Sequence, residues 1–291
     1  MSARTIAAGL IVLLACRFHA RCQEAGNAGE RSANGIDSAL ARLTTMHERV
    51  KGLDPLLADL HPVAVLDGDS LHIFDTDSTG ASYRFQRTEP APFPMQKGIR
   101  ASFPLSCYGN KPTCVVSPEV FDSKEGYATV FHEFVHCAQA LSCENALKQT
   151  LHVARAAFAA KDYSWEINHA FPYSDPVFAE SYFRLLVALR DRNPDDIVGA
   201  VRDLKRRLKG DDYEYMVWVE WKEGLARYFE NRIRALYALE PNTGGSEQPY
   251  NRVCFYNGGE GLIAYLANRK GGSFPTAAEL FPEMMALPDG K

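Results

Sequence analysis

The pattern of apolar and polar residues predicts one helix early in the chain and short strands after it. Apolar residues recur at helical spacing between Ile36 and Val50. After position 61 the pattern changes to short apolar runs that are separated by turn-forming Asp, Gly and Ser residues. These runs occupy 63–66, 71–74 and 82–85. They predict a small antiparallel sheet within a β-rich region, 61–121.

From position 122 onward nearly the whole chain shows the periodicity of helices. Asp175–Pro176 and Asn193–Pro194 each combine a capping side chain with a proline that suits the first turn of a helix. The stretch 212–239 is long enough for one continuous helix. A sheet followed by helices predicts the α+β class, with residues 122–291 forming a mainly helical domain.

The first residues of the chain predict an export signal. Arg4 precedes the apolar run Ile6–Cys16, which is shorter than the roughly 20 residues that span a bilayer but fits the hydrophobic part of a secretory signal. The end of this run resembles a bacterial lipobox in part. We interpret 1–22 as a signal peptide, with or without lipid on Cys16, and 23–60 as a linker and a helix. The expected location is periplasmic, secreted or lipid-anchored at the cell envelope.

Composition and charge narrow the class of protein. The 291 residues are 46% hydrophobic and 23% charged, which is typical of globular proteins and excludes disordered and fibrous chains. The net charge is −4, and the one basic cluster, Arg202–Lys209, lies on a predicted helix whose other face is apolar. We therefore expect no nucleic-acid partner, and no contact with a membrane except through a lipid anchor at Cys16.

The cysteines fit an oxidising compartment. They lie at positions 16, 22, 107, 114, 137, 143 and 254. Removal or lipidation of Cys16 leaves six, which permits up to three disulfides. Cys107 and Cys114 flank a turn-rich stretch and form one candidate pair. Cys137 can pair with Cys143 only if the helix ends between them, and one of these two can pair with Cys254 instead. Buried free thiols are the alternative.

The sequence His-Glu-Phe-Val-His places His132 and His136 four positions apart around Glu133. Apolar neighbours at helical spacing predict a buried helix, whose start Asp122 and Glu125 are suited to cap. Residues i and i+4 share a helix face, so both imidazoles can reach one ion. Two buried histidines and a glutamate are costly without a compensating charge, which a dication supplies. Imidazole nitrogen is a common zinc ligand, and we expect one Zn²⁺.

A zinc ion with two imidazole ligands needs a third protein ligand and a water molecule. No third histidine follows at the spacing of the longer His-Glu-x-x-His-x-x-Gly-x-x-His motif, because position 142 is Ser. A carboxylate on a later helix is therefore expected. We favour Glu223, because Gly224 and Ala226 beside it let helix backbones approach closely. Glu180, also on an apolar helix, is the alternative.

Together, His-Glu-Phe-Val-His and the later Glu-Gly-Leu-Ala-Arg-Tyr resemble the motifs of gluzincin metallopeptidases, the thermolysin-like and aminopeptidase-like zinc enzymes. The resemblance implies a zincin-like fold, with His132, His136 and Glu223 as zinc ligands and Glu133 as the general base. The chain departs from the family in three ways. The separation between the two motifs is long. Arg227 stands where thermolysin-like enzymes have an aspartate, and the Gly-x-Met-Glu-Asn motif of exopeptidases is absent.

The expected function is hydrolysis of a peptide or protein by an exported zinc metallopeptidase. In this mechanism Glu133 takes a proton from the water that attacks a carbonyl group. A further donor is expected to stabilise the developing oxyanion. The candidates are Tyr228, Tyr256, His169 and Tyr173. Two alternatives stay open, an exported cell-envelope or binding protein with a structural zinc site, and a zinc hydrolase that acts on a non-peptide amide or acyl substrate.

Overall fold

The computed structural model describes residues 33–269 and 274–289. They divide into two compact units, and the boundary lies between Cys137 and Ala138. This boundary falls inside one continuous helix, Lys124–Ser142. The signal peptide expected over 1–22, with Cys16 and Cys22, lies outside the described residues. The domain boundaries expected at positions 22, 60 and 121 remain predictions.

The first unit contains a helix and a five-stranded sheet. The helix is α1, Ala33–Val50, and it includes the predicted helix. The strands are β1 (Val63–Asp67), β2 (Ser70–Thr76), β3 (Tyr83–Pro90), β4 (Arg100–Leu105) and β5 (Lys111–Val116). The three predicted strands are therefore confirmed as β1 to β3, and β4 and β5 complete the sheet.

The expectation of an antiparallel sheet is wrong for one pair of strands. The strand order is β3-β2-β1-β5-β4, and β1 runs parallel to β5 with Val63 opposite Cys114. The other neighbours are antiparallel. Both central strands are buried along most of their length. Strand β5 was not among the predicted strands, so its parallel pairing with β1 could not be predicted. The fold is mixed α+β.

Helices joined by loops make up most of the rest of the described chain. They are α2 (Lys124–Ser142), α3 (Glu144–Thr150), α4 (His152–Ala159), α5 (Trp165–Asn168), α6 (Pro176–Asp191), α7 (Pro194–Arg207), α8 (Gly210–Leu236), α9 (Cys254–Arg269) and α10 (Ala277–Ala286). Both predicted caps are confirmed, because Asp175 and Asn193 accept hydrogen bonds from backbone N–H groups of the following turn. No helix within the described residues is both long enough and apolar enough to cross a membrane.

The long helix α8 forms the centre of the second unit. Its side chains are buried along most of its length, including Trp218 and Trp221, which are fully buried. The Trp221 Nε1–H donates to the carbonyl oxygen of Ala277 at 2.8 Å, and this bond ties α10 to α8. The continuous helix expected over 212–239 is confirmed, but it begins two residues earlier and ends three residues earlier than expected.

The expected disulfides are not formed among the described cysteines, all five of which are free thiols. Cys114 is fully buried in β5, whereas Cys107 is partly exposed in the turn before this strand. The Cys137 sulfur instead lies 3.0 Å from the Ser102 hydroxyl, in hydrogen-bond contact. Burial raises the pKa of the Cys114 thiol well above its usual value, which keeps it protonated and unreactive.

The buried His61 is expected to make the protein less stable in acid. Its ring packs edge-on against Phe134 at 5.5 Å, and burial lowers its pKa to about 4. The unfolded chain, with a pKa near 6.5, then takes up the proton first as the pH falls. Stability that is present above pH 6.5 is therefore lost between pH 6.5 and 4, by up to about 3 kcal/mol.

His61→Phe keeps an aromatic ring at this position but removes the titrating group. Urea unfolding at pH 7, 5.5 and 4 measures the free energy of unfolding of both proteins. We expect the acid-side loss to be smaller in the variant. Equal losses in both proteins would show that His61 does not cause it.

Candidate metal centre

Helix α2 carries the His-Glu-x-x-His motif on its buried part. His132, Glu133 and His136 are 6%, 7% and 8% exposed, respectively. The Ser123 Oγ accepts a hydrogen bond from the Gly126 N–H at 3.1 Å, so Ser123 caps the start of the helix. The expectation that Asp122 caps it is corrected, because the helix begins two residues after Asp122.

The two histidine rings lie on the same face of α2. Their centroids are 5.0 Å apart and their planes meet at 78°. This is the arrangement that the i, i+4 spacing predicts, since one helical turn separates the two side chains. Glu133, on the residue after His132, projects from the adjoining part of the helix surface.

Glu223 on α8 completes a group of three possible ligands. One ligand atom each from His132, His136 and Glu223 lies within 4.8 Å of the other two, and all three residues are buried. Within the described residues no other group of three or more His, Cys, Asp or Glu side chains meets this condition. Two imidazoles and one carboxylate match the ligand set of a catalytic zinc site. The residues present therefore fit a divalent metal ion.

A hydrogen bond between α2 and α8 holds the chain next to Glu223. The Gln139 Nε2–H donates to the carbonyl oxygen of Lys222 at 3.3 Å. Gln139 follows His136 by three residues on the same helix, and Lys222 directly precedes Glu223. The bond therefore fixes the backbone of α8 one residue before the carboxylate.

Glu180, the alternative third ligand, lies away from this group. Its side chain is 66% exposed on α6, where it forms an ion pair with Arg184. The buried face of α6 is formed by other residues, among them Phe178 and Tyr182. The apolar residues of α6 did not indicate which face of the helix would be buried. Glu180 lies on the exposed face.

Arg252, which sequence reasoning did not single out, contacts Glu223 directly. Its Nη2–H donates to the Glu223 Oε1 at 3.0 Å, and its Nη1–H donates to the Tyr256 hydroxyl at 2.6 Å. Its Nε–H donates to the carbonyl oxygen of Glu166 at 3.2 Å. The signal in the sequence was weak, namely an arginine four positions before one of the candidate tyrosines.

Among the four candidate donors, Tyr256 is the one that shares a hydrogen-bond partner with Glu223. Both residues accept a hydrogen bond from the Arg252 guanidinium. His169 instead binds the Asp212 carboxylate at 2.8 Å. Asp212 precedes Glu223 by three turns of α8, or about 16 Å along the helix axis. His169 therefore lies beside the first turn of this helix, whereas Glu223 lies near its middle.

The other two tyrosines contact aromatic rings. The Tyr228 ring stacks on Phe274 with centroids 5.3 Å apart, and its position five residues after Glu223 is about 140° around the helix. The Tyr173 ring packs against Phe171 and Phe255. Burial raises the pKa of Tyr173 far above its usual value.

A buried network of four charges surrounds the backbone near Glu223. The Lys222 ammonium group lies 2.8 Å from carboxylate oxygens of both Glu144 and Glu166, and Lys148 bridges the same two acids. Burial alone would raise the pKa of Glu166, but the two ammonium groups outweigh burial and hold this pKa well below its usual range. The network fixes Glu166, whose carbonyl oxygen in turn binds Arg252.

A second buried acid, Glu220, lies one turn before Glu223. It is fully buried and accepts a hydrogen bond from the Tyr182 hydroxyl at 2.7 Å. Burial raises its pKa to about 8, so that it is mostly neutral at pH 7. The negative charge at this part of α8 is therefore that of Glu223, which faces an arginine.

Glycines let α9 lie directly against α8 beside this site. A Cβ atom on Gly224 would lie 2.6 Å from the Gly259 Cα, and one on Gly259 would lie 2.1 Å from the Glu220 carbonyl oxygen. The expectation that Gly224 permits close helix packing is confirmed, and its partner is α9. This close approach brings Arg252, two residues before α9, and Tyr256, in its first turn, to Glu223.

Comparison with protein-family models, curated proteins and solved structures found no match for this chain. The mixed α+β architecture and the His132/His136/Glu223 group follow from the structure itself. The zincin-like fold and the relationship to gluzincins remain predictions from the two sequence motifs.

Gly224→Ala is expected to destabilise the protein by about 1–3 kcal/mol, because the added methyl group overpacks the contact between α8 and α9. Gly199→Ala is the matched control, because Gly199 lies inside α7 and a Cβ there meets no atom within 4 Å. There the better helix propensity of alanine is expected to add up to about 1 kcal/mol. Urea unfolding measures both, and a change of the same sign and size in the two variants would contradict the close contact.

Proposed function

We propose that this protein is an exported zinc-dependent metallopeptidase. The observation that supports the proposal most directly is the buried group of His132, His136 and Glu223, whose ligand atoms lie within 4.8 Å of one another. Glu133 lies beside the first of these ligands on the same helix. Export rests on the signal-like sequence over 1–22.

Different residues of this chain serve different steps of amide hydrolysis. A zinc ion held by His132, His136 and Glu223 would supply a Lewis acid that polarises a carbonyl group and makes water more acidic. Glu133 accepts the proton from the attacking water and delivers it to the leaving amine. Its low exposure, 7%, keeps bulk water away from this transfer.

Tyr256 is the best-supported donor to the oxyanion. Its hydroxyl oxygen accepts a hydrogen bond from Arg252, so its own O–H is directed toward a different acceptor. A donor fixed in this way stabilises negative charge on the carbonyl oxygen of the substrate without having to reorient during the reaction.

The number of ligands favours a catalytic site over a structural one. Structural zinc sites have four protein ligands, whereas catalytic sites have three and leave one position for water or substrate. In the part of the chain that the structure describes, the group has three members, and Glu180 lies on the surface away from it. A non-peptide amide or acyl substrate remains the second candidate, which a peptide digest separates from proteolysis.

Substitutions in the motif test the roles of its residues. His132→Ala is expected to abolish stoichiometric zinc binding, whereas Glu133→Gln is expected to retain zinc and to lose hydrolysis of a peptide library by at least about 100-fold. Glu125→Gln, an exposed acid on the same helix, is the control and should retain both. Wild-type protein without stoichiometric zinc, or an active Glu133→Gln variant, would contradict the proposal.

Substitution of the two candidate third ligands should affect zinc affinity differently. The affinity is measured by competition with a chromophoric chelator. Glu223→Gln removes a ligand and should weaken zinc binding by at least about 100-fold. Loss of a residue that only hydrogen-bonds to a ligand already costs up to about this factor. Glu180→Gln changes an exposed ion pair and should leave the affinity within a factor of about two. An equal affinity of both variants would exclude Glu223 as a ligand.

A further inference from the structure

Arg252 is a buried arginine that joins two residues with different tasks. Its side chain is 12% exposed, and its guanidinium contacts both the Glu223 carboxylate and the Tyr256 hydroxyl. The first is a candidate metal ligand and the second is the candidate oxyanion donor. Neither the His-Glu-x-x-His motif nor the Glu-Gly-Leu-Ala motif includes this arginine.

The shape of the guanidinium sets where these two partners lie. Nη1 and Nη2 belong to one rigid planar group, so the hydroxyl and the carboxylate oxygen that they bind are held at a fixed separation. With its Oε1 bound to Arg252, Glu223 is left to bind an ion through its other oxygen. A lysine at this position carries a single ammonium group and lacks the planar fork.

Arg252 is itself held in place. Its Nε–H donates to the carbonyl oxygen of Glu166, and the Glu166 side chain is fixed by Lys222 and Lys148. The guanidinium also lies 5.5 Å from the centroid of the Tyr256 ring. The arginine is thus ordered before any ion or substrate binds, which is the condition for positioning another group accurately.

We propose that Arg252 is a positioning residue of this centre, which orients Glu223 for metal binding and Tyr256 for contact with the substrate oxyanion. This inference rests on the proposed function, because it assigns tasks to both partners. The competing explanation is that Arg252 only neutralises the buried charge of Glu223. In that case any cation at position 252 would be sufficient.

The test compares Arg252→Lys and Arg252→Gln with wild-type protein. Zinc affinity is measured by chelator competition, and kcat and KM are measured on one peptide substrate. We expect both variants to bind zinc about 10–100-fold more weakly and, at saturating zinc, to show a lower kcat with a smaller change in KM. Circular dichroism confirms that each variant is folded. Should Arg252→Gln fail to fold, Arg252→Lys alone decides the outcome.

Two further variants separate positioning from packing. Arg227→Lys is the matched control, because Arg227 is also buried and also lies 5.5 Å from the Tyr256 ring, but it binds the carbonyl oxygens of Asn242 and Gly244. Its zinc affinity should stay within about twofold of wild type. Tyr256→Phe should lower kcat and leave zinc affinity unchanged.

The outcomes distinguish this inference from the proposed function. Wild-type affinity and kcat in Arg252→Lys would overturn the positioning role, because charge alone would then be sufficient. An equal loss of zinc affinity in Arg227→Lys would overturn it as well, since the effect would be one of general packing. Failure of the wild-type protein to bind zinc would overturn the metallopeptidase proposal itself, and the Arg252 assignment with it.

Discussion

The second unit depends on the pairing of charges that are buried in its interior. A buried ion is costly unless a partner of opposite charge and further hydrogen bonds compensate for lost hydration. Lys222 and Lys148 meet this need for Glu144 and Glu166, and Arg252 meets it for Glu223. Glu220 satisfies the same constraint in another way, by remaining mostly neutral.

These pairings also fix the position of the candidate site. Each buried cation contacts more than one acceptor, so a change in one side chain disturbs several others. Lys222 lies beside Glu223 on α8 and binds two acids from earlier helices. The chain on both sides of the site is therefore fixed by electrostatic contacts as well as by apolar packing.

Much of the fold and the centre of the site could be predicted from local sequence. Strands β1 to β3, the caps of α6 and α7, and the positions of His132 and His136 depend on neighbouring residues, which the periodicity records. The parallel pairing of β1 with β5 and the contact of Arg252 with Glu223 join distant parts of the chain. Such contacts leave no periodic pattern, and Arg252 was therefore missed.

The choice between Glu223 and Glu180 shows which local feature of a sequence helps to predict a contact between distant residues. Both acids lie on helices with apolar residues, and apolarity alone did not separate them. A glycine beside Glu223 indicated a position where another backbone comes close, and α9 does so there. The disulfides failed as a prediction because they depend on distances between cysteines, which sequence spacing does not supply.

The contact between Gly224 and Gly259 has a mechanical consequence. Two backbones that touch without intervening side chains have no rotamers between them, so thermal motion of side chains cannot change their spacing. Arg252 and Tyr256 precede Gly259 on one side of this contact, and Glu223 lies next to Gly224 on the other. The distance from Glu223 to Arg252 and Tyr256 is thus set by the stiffness of two helices. Small changes in solvent or temperature should leave this distance unaltered until the helices separate.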